Sequence, residues 1–479
     1  MKSFLKEQFV RWWHAPALKA LPSYCVSIAT HLVALLLLAA IVIRLAPKGG
    51  ESTPVEVFGS DGPDTSAEPL DNVRLSVDTV EKLPDGAGAS QFDAIDVEKA
   101  LSALPVSVGS VEFKGDFAAT VGQRAGFAGE LAGRNGSARS QLLSKGGGNS
   151  ASERCVTNGL NWLVRYQQPD GKWSFRHGPD DPGSLAQCTT GATGLALLSF
   201  LGAGHTHRNK NSRYRANVDK GLRYLVSQIK LEGNSGDLRG KVVSNEGMYA
   251  DAIATLALCE AYVQTGDLEL KTHAQQAVNF LVAAQDHRGG GWRYTPHQPG
   301  DTTVTGWVLM ALKSAKAGHL RIPEHTFPDA KRFLDFVQSD GGSRYGYDNR
   351  GATPPMTAIG LLCRMYLGWM RDNQALEQGV EFLSQKGPSS EDIYYDYYAT
   401  QVLHHWGGSE WKKWNQVLRD HLIETQVKDG DAAGSWKPTG DRGAGAGGRL
   451  YQTCLSVMTL EVYYRYLPLY QKELAGRKK

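Results

Sequence analysis

Six copies of one helical phrase occupy the last two-thirds of the chain, and a tandem repeat of this kind leaves few folds open. The phrase is a small or apolar pair, a spacer, an aromatic residue and a leucine, with glutamine a few residues on. It stands as Gly159-Leu160-Asn161-Trp162-Leu163 with Gln167, and as Gly221-Leu222-Arg223-Tyr224-Leu225 with Gln228. It recurs as Ala277 to Leu281 with Gln285, Ala330 to Leu334 with Gln338, and Gly379 to Leu383 with Gln385. A degenerate sixth copy is Leu418 to Leu422 with Gln426. Successive phrase leucines lie 62, 56, 53, 49 and 39 residues apart, the length of one helical hairpin with its loops. Hairpins in tandem at this spacing predict an all-α closed ring of inner and outer helices.

Each unit continues through a Gly and aromatic turn, as in Gln168-Pro169-Asp170-Gly171-Lys172-Trp173, Gly290-Gly291-Trp292 and Gly434-Ser435-Trp436. A second helix follows that is apolar on nearly every side, such as Thr193 to Leu201, Ala252 to Cys259 and Ala358 to Leu367. A helix that is apolar all round is buried all round, whereas the first helices carry charge on one face and suit an outer layer.

The run Gly159 to Trp162, Gln168 and Gly171 to Trp173 resembles the QW motif of the prenyltransferase and squalene-oxidase repeat superfamily, which includes squalene and oxidosqualene cyclases and the beta subunits of protein prenyltransferases. The resemblance covers roughly residues 152 to 472 and implies an alpha/alpha toroid of six hairpins. It also implies that Trp173, Trp292 and Trp436, with Gln168, Gln285 and Gln426, brace each hairpin against the next. Activity does not follow from the fold, because the superfamily holds enzymes and non-enzymes.

The chemistry of those enzymes is not spelled out in this chain. Protein prenyltransferases hold zinc through Asp-x-Cys and a distant histidine; here no cysteine has Asp two positions before it, and Ala399 stands in the histidine's place within Asp396-Tyr397-Tyr398-Ala399-Thr400. Neither a metal nor another cofactor is therefore expected. Triterpene cyclases need a strong shielded acid, yet Asp-x-Asp-Asp is absent and Gln187-Cys188-Thr189 offers an amide where oxidosqualene cyclases have Asp-Cys-Thr. Gly443 to Gly448 fits Gly-x-Gly-x-x-Gly, but no strand precedes it, so a dinucleotide site is not expected; an anion at that helix start, near Arg442 and Arg449, stays open. Six cysteines show no paired spacing, and most fall on apolar helices as buried hydrophobes. A net charge of +3 with scattered basic residues gives no case for nucleic acid.

The remaining candidates are acids and aromatics where inner helices open. Asp251, Asp301 and Asp396 stand at or near such starts, where they serve either as helix caps or as an acid–base set at one mouth of the ring. Tyr395, Tyr397 and Tyr398, with His404 and Trp406 deeper in the same helix, form a candidate ligand wall.

The first third of the chain is different in kind. Residues 1–22 carry Lys2, Lys6, Arg11 and Lys19 against Glu7, and residues 23–46 hold an apolar run from Tyr24 to Leu45 long enough to span a bilayer. That length exceeds the apolar stretch of a cleaved signal peptide, although Leu38-Ala39-Ala40 offers small residues, so a retained anchor is expected. Beyond it, residues 51 to 116 hold fourteen acids against Arg74, Lys82, Lys99 and Lys114, which predicts a cytoplasmic N-terminus and an extracytoplasmic ring, periplasmic in a bacterium. Residues 47–150 are acidic and then Gly-rich, and read as a largely disordered tether. The function this favours is a membrane-tethered binding or assembly module without catalysis, its ring holding an apolar lipid, a glycan or a partner protein. The alternatives are an isoprenoid or triterpenoid enzyme with an unconventional site, and a carbohydrate-active enzyme.

Overall fold

A computed structural model of the chain describes residues 129–176, 183–241 and 246–470. The segments expected over 1–22 and 23–46, and the tether as far as residue 128, lie outside the described residues. Among the described residues no helix is long and apolar enough to cross a membrane.

The described chain begins with a 3-10 turn, Gly129–Arg134, and helix α1 (Gly136–Gly146). Outer helices then alternate with inner ones. The outer helices are α2 (Ser150–Tyr166), α4 (Arg215–Gln228), α6 (Leu268–Ala283), α8 (Thr326–Val337), α10 (Gln374–Lys386) and α12 (Gly408–Thr425). The inner helices are α3 (Thr189–Gly202), α5 (Gly247–Thr265), α7 (Thr302–Ala317), α9 (Pro354–Tyr366), α11 (Ile393–Trp406) and α13 (Arg442–Leu460), with a last short α14 (Val462–Arg465). Each inner helix packs on the next, and α13 returns to α3, so the ring is closed.

Helices α3 and α5 run in the same direction: a Cβ on Gly191 would sit 3.2 Å from the Ala250 Cα, and one on Gly194, a turn further on, 3.0 Å from the Ala254 backbone nitrogen. Between α7 and α9 the approach is equally close, a Cβ on Gly306 falling 2.5 Å from Ile359. Their burial follows their composition: every residue of α3 from Thr190 to Gly202 is buried, whereas α4 buries only Val218, Gly221, Leu222 and Leu225. Side-chain caps start several helices, including an Asn149–Ser152 capping box on α2 and Asp301, Asp392 and Asp441 on α7, α11 and α13.

The repeated phrase has a direct mechanical meaning. The indoles of Trp173, Trp292 and Trp436 are buried and donate to the carbonyls of the phrase leucines Leu163, Leu281 and Leu422 at 2.7, 2.7 and 2.8 Å. The small residue of the following phrase makes room for that ring: a Cβ on Gly221 would lie 2.9 Å from Trp173, and one on Gly159 would lie 3.4 Å from Trp436. The turn glycine is held at positive φ, 85° at Gly290, where a Cβ would fall 2.0 Å from the Asp329 carbonyl of the next outer helix. The glutamine amide reaches both its own turn and the next repeat. Gln285 donates to Gly290 O and Thr326 O at 2.8 and 3.0 Å, and Gln426 donates to Gly434 O and Cys155 O at 2.9 and 2.8 Å. The last bond joins the sixth repeat to the first. In the first repeat this work is done by Gln167, which donates to Gly171 O and Asn217 O at 2.9 Å each, and not by Gln168, whose place one residue further on puts it in the turn.

A short β-hairpin, β1 (Lys230–Glu232) with β2 (Ser235–Asp237), replaces the aromatic turn in the second repeat; β3 (Gln338–Ser339) pairs with β4 (Arg344–Tyr345) in the fourth.

The tether ends earlier than its composition suggests. Residues 129–150 form a strap across the C-terminal ends of the inner helices, with Leu131 and Leu142 buried. The glycines that read as flexible are there for close approach: a Cβ on Gly146 or Gly148 would lie 2.8 Å or 2.3 Å from Tyr463 or Leu143, and Gly147 takes φ 91° to end α1. Arg134, fully buried, pairs with Glu260 of α5 at 2.8 Å. Arg465 lies 3.4 Å from Glu260 and 2.9 Å from Glu461, and the Tyr466 hydroxyl donates to Glu260 at 2.7 Å. Burial alone would raise the Glu260 carboxyl, but the two guanidiniums hold it below its ordinary value, whereas burial pushes Glu461 up to about 8. This end of the ring is sealed.

Candidate functional site

Six loops meet six inner helices through one repeated hydrogen bond. A Thr hydroxyl near the start of the helix accepts the backbone N–H of the turn aromatic: Thr193 from Trp173 at 3.0 Å, Thr305 from Trp292 at 3.0 Å, Thr357 from Tyr345 at 3.2 Å and Thr453 from Trp436 at 3.2 Å. In the two repeats that lack the turn aromatic, aspartate takes that position. Asp251 accepts from Leu238 N at 2.6 Å and from the Thr255 hydroxyl at 3.3 Å; Asp396 accepts from Ser389 N at 2.8 Å. Both acids are therefore directed at their own loops and not into the central space. Burial pushes both carboxyls well above the ordinary range, against the pull of those N–H groups. Asp396 also borders a cleft of about 300 Å³ between the fifth and sixth repeats, beside Trp436 and Gln452.

Asp301 is placed differently. One carboxyl oxygen caps α7, accepting from Thr303 N at 2.9 Å, Val304 N at 2.8 Å and the Thr303 hydroxyl at 2.6 Å. The other oxygen is buried and has no hydrogen-bond partner among the described residues. Burial raises this carboxyl too, with the Thr303 hydroxyl, the Val304 N–H and the charge of Arg293 opposing.

Around Asp301 stand half-buried tyrosines. The Tyr249 hydroxyl bonds to Thr303, and the Tyr249 and Tyr294 rings lie 6.3 Å apart. The Tyr294 and Tyr347 hydroxyls bond to each other, with the Arg293 guanidinium 5.2 and 5.4 Å from their ring centres and 2.9 Å from Asp348. Burial raises the phenols of Tyr249, Tyr347 and Tyr394, and the nearby Asp301 adds to each shift. Tyr451 is raised by burial and then by Asp441, Tyr394, Asp392 and Tyr249, which places groups from α5, α11 and α13 around one opening. Asp392 and Asp441 cap neighbouring inner helices, and burial raises both. A glycine-rich helix start makes room here: a Cβ on Gly443 would lie 2.4 Å from the Tyr451 hydroxyl. The Gly443 to Gly448 run thus accommodates Tyr451, and Asp441, accepting from Ala444 N at 2.8 Å, takes the place an anion would have had.

Below this basin the axis is filled. Trp307 of α7 stacks on Tyr397 of α11 at 5.8 Å and 17°, and meets Tyr398 edge-on at 5.9 Å, although α9 stands between those helices in the ring. The Tyr394, Tyr397 and Tyr398 hydroxyls are buried here. The rest of the expected ligand wall is dispersed. Tyr395 turns outward to Trp414, 5.7 Å away, and donates to Gly387 O. His404 packs edge-on against Trp411 at 4.9 Å with its pKa lowered by burial to about 4, and Trp406 lies under Arg371 at 4.7 Å. Helical period explains the scatter, since adjacent positions differ by about 100° around the axis. Among the described residues no group of three or more His, Cys, Asp and Glu is placed to hold a metal ion.

Tyr249, Tyr294, Tyr347, Tyr451, Asp392 and Asp441 were not singled out by the sequence pattern. A signal exists for two of them: the residue two past the turn aromatic is aromatic in three repeats, Phe175, Tyr294 and Tyr347.

No family model matches the chain, and no curated protein matches it. Among solved structures it is similar to the GH76A alpha-1,6-mannanase from Salegentibacter sp. HEL1_6, with 12% identity over 65% of this chain and 98% of that one and a TM-score of 0.47. It is similar to the type II terpene cyclase MstE from Scytonema, with 12% identity over 65% of this chain and 97% of that one and a TM-score of 0.46. An alpha-amylase from Clostridium perfringens gives 13% identity over 64% and 97%, with a TM-score of 0.43.

Proposed function

We propose that this chain is a non-catalytic binding module whose ring is closed at one end and holds a hydroxyl-rich ligand, a glycan chain, in the tyrosine basin at the other. The observation that carries this reading is the buried Asp301 carboxyl, one oxygen of which has no hydrogen-bond partner among the described residues, with half-buried tyrosines around it. A buried acceptor without a donor costs about 1 to 3 kcal/mol, which a ligand hydroxyl removes on binding. Tyrosine faces stack on the flat apolar side of a sugar ring, and their hydroxyls serve its edges. The filled axis below the basin argues against an enclosed apolar chain. The module is carried outside the cytoplasmic membrane by the span at residues 24–45; protease added to intact cells stripped of their outer barriers should then cut in the tether and release a resistant ring, and complete protection would oppose that placement.

The binding test is titration of the purified protein with a panel of neutral oligosaccharides, followed by calorimetry. Tyr294→Ala should weaken the bound member about fivefold, since one lost stacking contact is worth about 1 kcal/mol. Asp301→Asn keeps the capping oxygen but turns the free acceptor into a donor, and should weaken it similarly with little change in Tm. Unaltered affinity in both variants would remove the basin reading.

A second reading, a carbohydrate-active enzyme, is favoured by one observation: Asp392 and Asp441 are neighbouring carboxyls, each raised by burial, at the same mouth. Two such groups are what acid–base cleavage of a glycosidic bond requires. Release of reducing ends by wild type, abolished in Asp441→Asn, would select it over simple binding.

A further inference from the structure

Away from the basin, on the outer wall, a crevice of about 810 Å³ lies between α4, the loop before it and the start of α6. Its charges do not balance. Asp219 is taken by Arg223 at 2.8 Å, and Asp267 by Arg208 at 2.7 Å and His207 at 2.8 Å. Asp267 is held at about 2: burial would raise it, but the hydrogen bonds from His207 and Arg208 outweigh that. Lys210, Arg213 and Arg215 remain, all exposed, facing Glu269 alone among the lining acids. Arg213 spends donors only on neutral acceptors, the Asn161 amide oxygen at 2.9 Å and the Tyr214 hydroxyl at 2.6 Å, and Arg215 donates through Nε to His207 O at 2.9 Å. Both guanidiniums keep other N–H groups directed to solvent. The floor between these cations is apolar, formed by Leu222 and Leu270, which are 3% and 6% exposed, with half-buried Val226 beside them. Leu268, 73% exposed, follows Asp267 at the edge of the crevice.

We infer that this crevice is a docking groove for an acidic, amphipathic polypeptide segment of a partner protein. A concave cleft receives a chain, whereas a bilayer surface needs a convex or flat cationic face. The alternation of cationic rim and aliphatic floor matches a segment that interleaves Glu or Asp with Leu or Val, the carboxylates meeting Lys210, Arg213 and Arg215 and the aliphatic side chains covering Leu222 and Leu270. Charge at the rim steers the encounter and makes binding salt-dependent, and the apolar floor supplies the part that salt does not screen. The groove is independent of the tyrosine basin, and ligand in one leaves the other open.

The test uses the full-length protein in detergent and a fluorescein-labelled helical peptide of alternating Glu and Leu faces, read by anisotropy. The expected result is saturable binding that weakens at least about tenfold between 50 and 500 mM NaCl, and at least about tenfold again in Lys210→Glu with Arg215→Glu. Lys210→Arg should bind as wild type does, and far-UV dichroism should be unchanged in all variants. Three results would overturn the proposal: no binding by wild type, equal binding by the charge-reversed variant, or displacement of the peptide by vesicles of anionic lipid at matched charge but not by unlabelled peptide, which would make the face a membrane contact. Should Arg215→Glu alone unfold the loop, the Lys210→Glu variant decides by itself, because the Lys210 side chain is exposed.

Discussion

Asp251 shows how one residue can be legible as a position and misleading as a role. Its place at the opening of an inner helix is plain in the sequence, but whether a side chain there faces the axis or the loop depends on a rotation of about 100° per residue that depends on packing. The structure turns it to Leu238 N, in the position held by Thr193, Thr305, Thr357 and Thr453 in repeats with a regular aromatic turn. The pH consequence has a definite sign. Burial holds the folded pKa well above the ordinary carboxyl value, so above that ordinary value the unfolded state releases a proton that the folded state keeps. The associated stability is full in acid and is lost as pH rises through the folded value. Asp251→Asn retains an acceptor for Leu238 N without that proton. The variant should therefore gain in Tm relative to wild type as pH rises from about 4 to 8, as followed by calorimetry, and a constant difference across the range would show that Asp251 does not titrate in this way. Asp301, by contrast, was readable as a cap; its second, unpaired oxygen was not, because no sequence feature says how many partners a carboxylate finds.

At the level of elements, the repeat was legible because its phrase encodes contacts between neighbours: an aromatic, a small residue to receive it and a glutamine to bond the turn. Trp292 is the clearest instance, buried, bonded through its indole to Leu281 O and through its amide to Thr305. Trp292→Ala should cost about 3 to 5 kcal/mol in urea-induced unfolding, and a loss below about 1 kcal/mol would detach the phrase from stability. What the phrase could not convey is substitution among its parts. The fourth repeat uses Tyr345, whose hydroxyl accepts from Arg364 at 2.9 Å, while Arg364 also reaches Gln338 at 2.9 Å, so a cation does there what an indole does elsewhere. The glycines at 146 to 148 misled for the opposite reason. Composition gives glycine one meaning, freedom, and packing gives it another, closeness.

For the whole molecule, closure is the property that the repeats alone do not guarantee. It rests on Gln426 bonding Cys155 O, on α13 meeting α3, and on the strap whose Arg134 lies against Glu260. Without Arg134, Glu260 keeps only Arg465 at 3.4 Å and the Tyr466 hydroxyl against its buried charge, and breaking a buried ion pair typically costs about 3 to 5 kcal/mol. Arg134→Met should therefore lower Tm markedly, whereas Ser140→Ala, exposed on α1 of the same strap, should change it little; equal effects would mean that the strap only covers the ring. The strap escaped the sequence reading because its decisive contact joins residues 126 apart, with no local pattern to announce it.

Both ends of the described chain come to the sealed face: Arg134 enters beside Glu260, and Tyr470 leaves with its hydroxyl on the Trp369 carbonyl at 2.6 Å, past the C-terminal end of α9. Anything fused directly at residue 129 or residue 470 is thereby attached behind the ring. Copies held on a surface through those two positions should turn the opposite ends of their inner helices outward in one common orientation, offering a ligand many identical sites facing the same way.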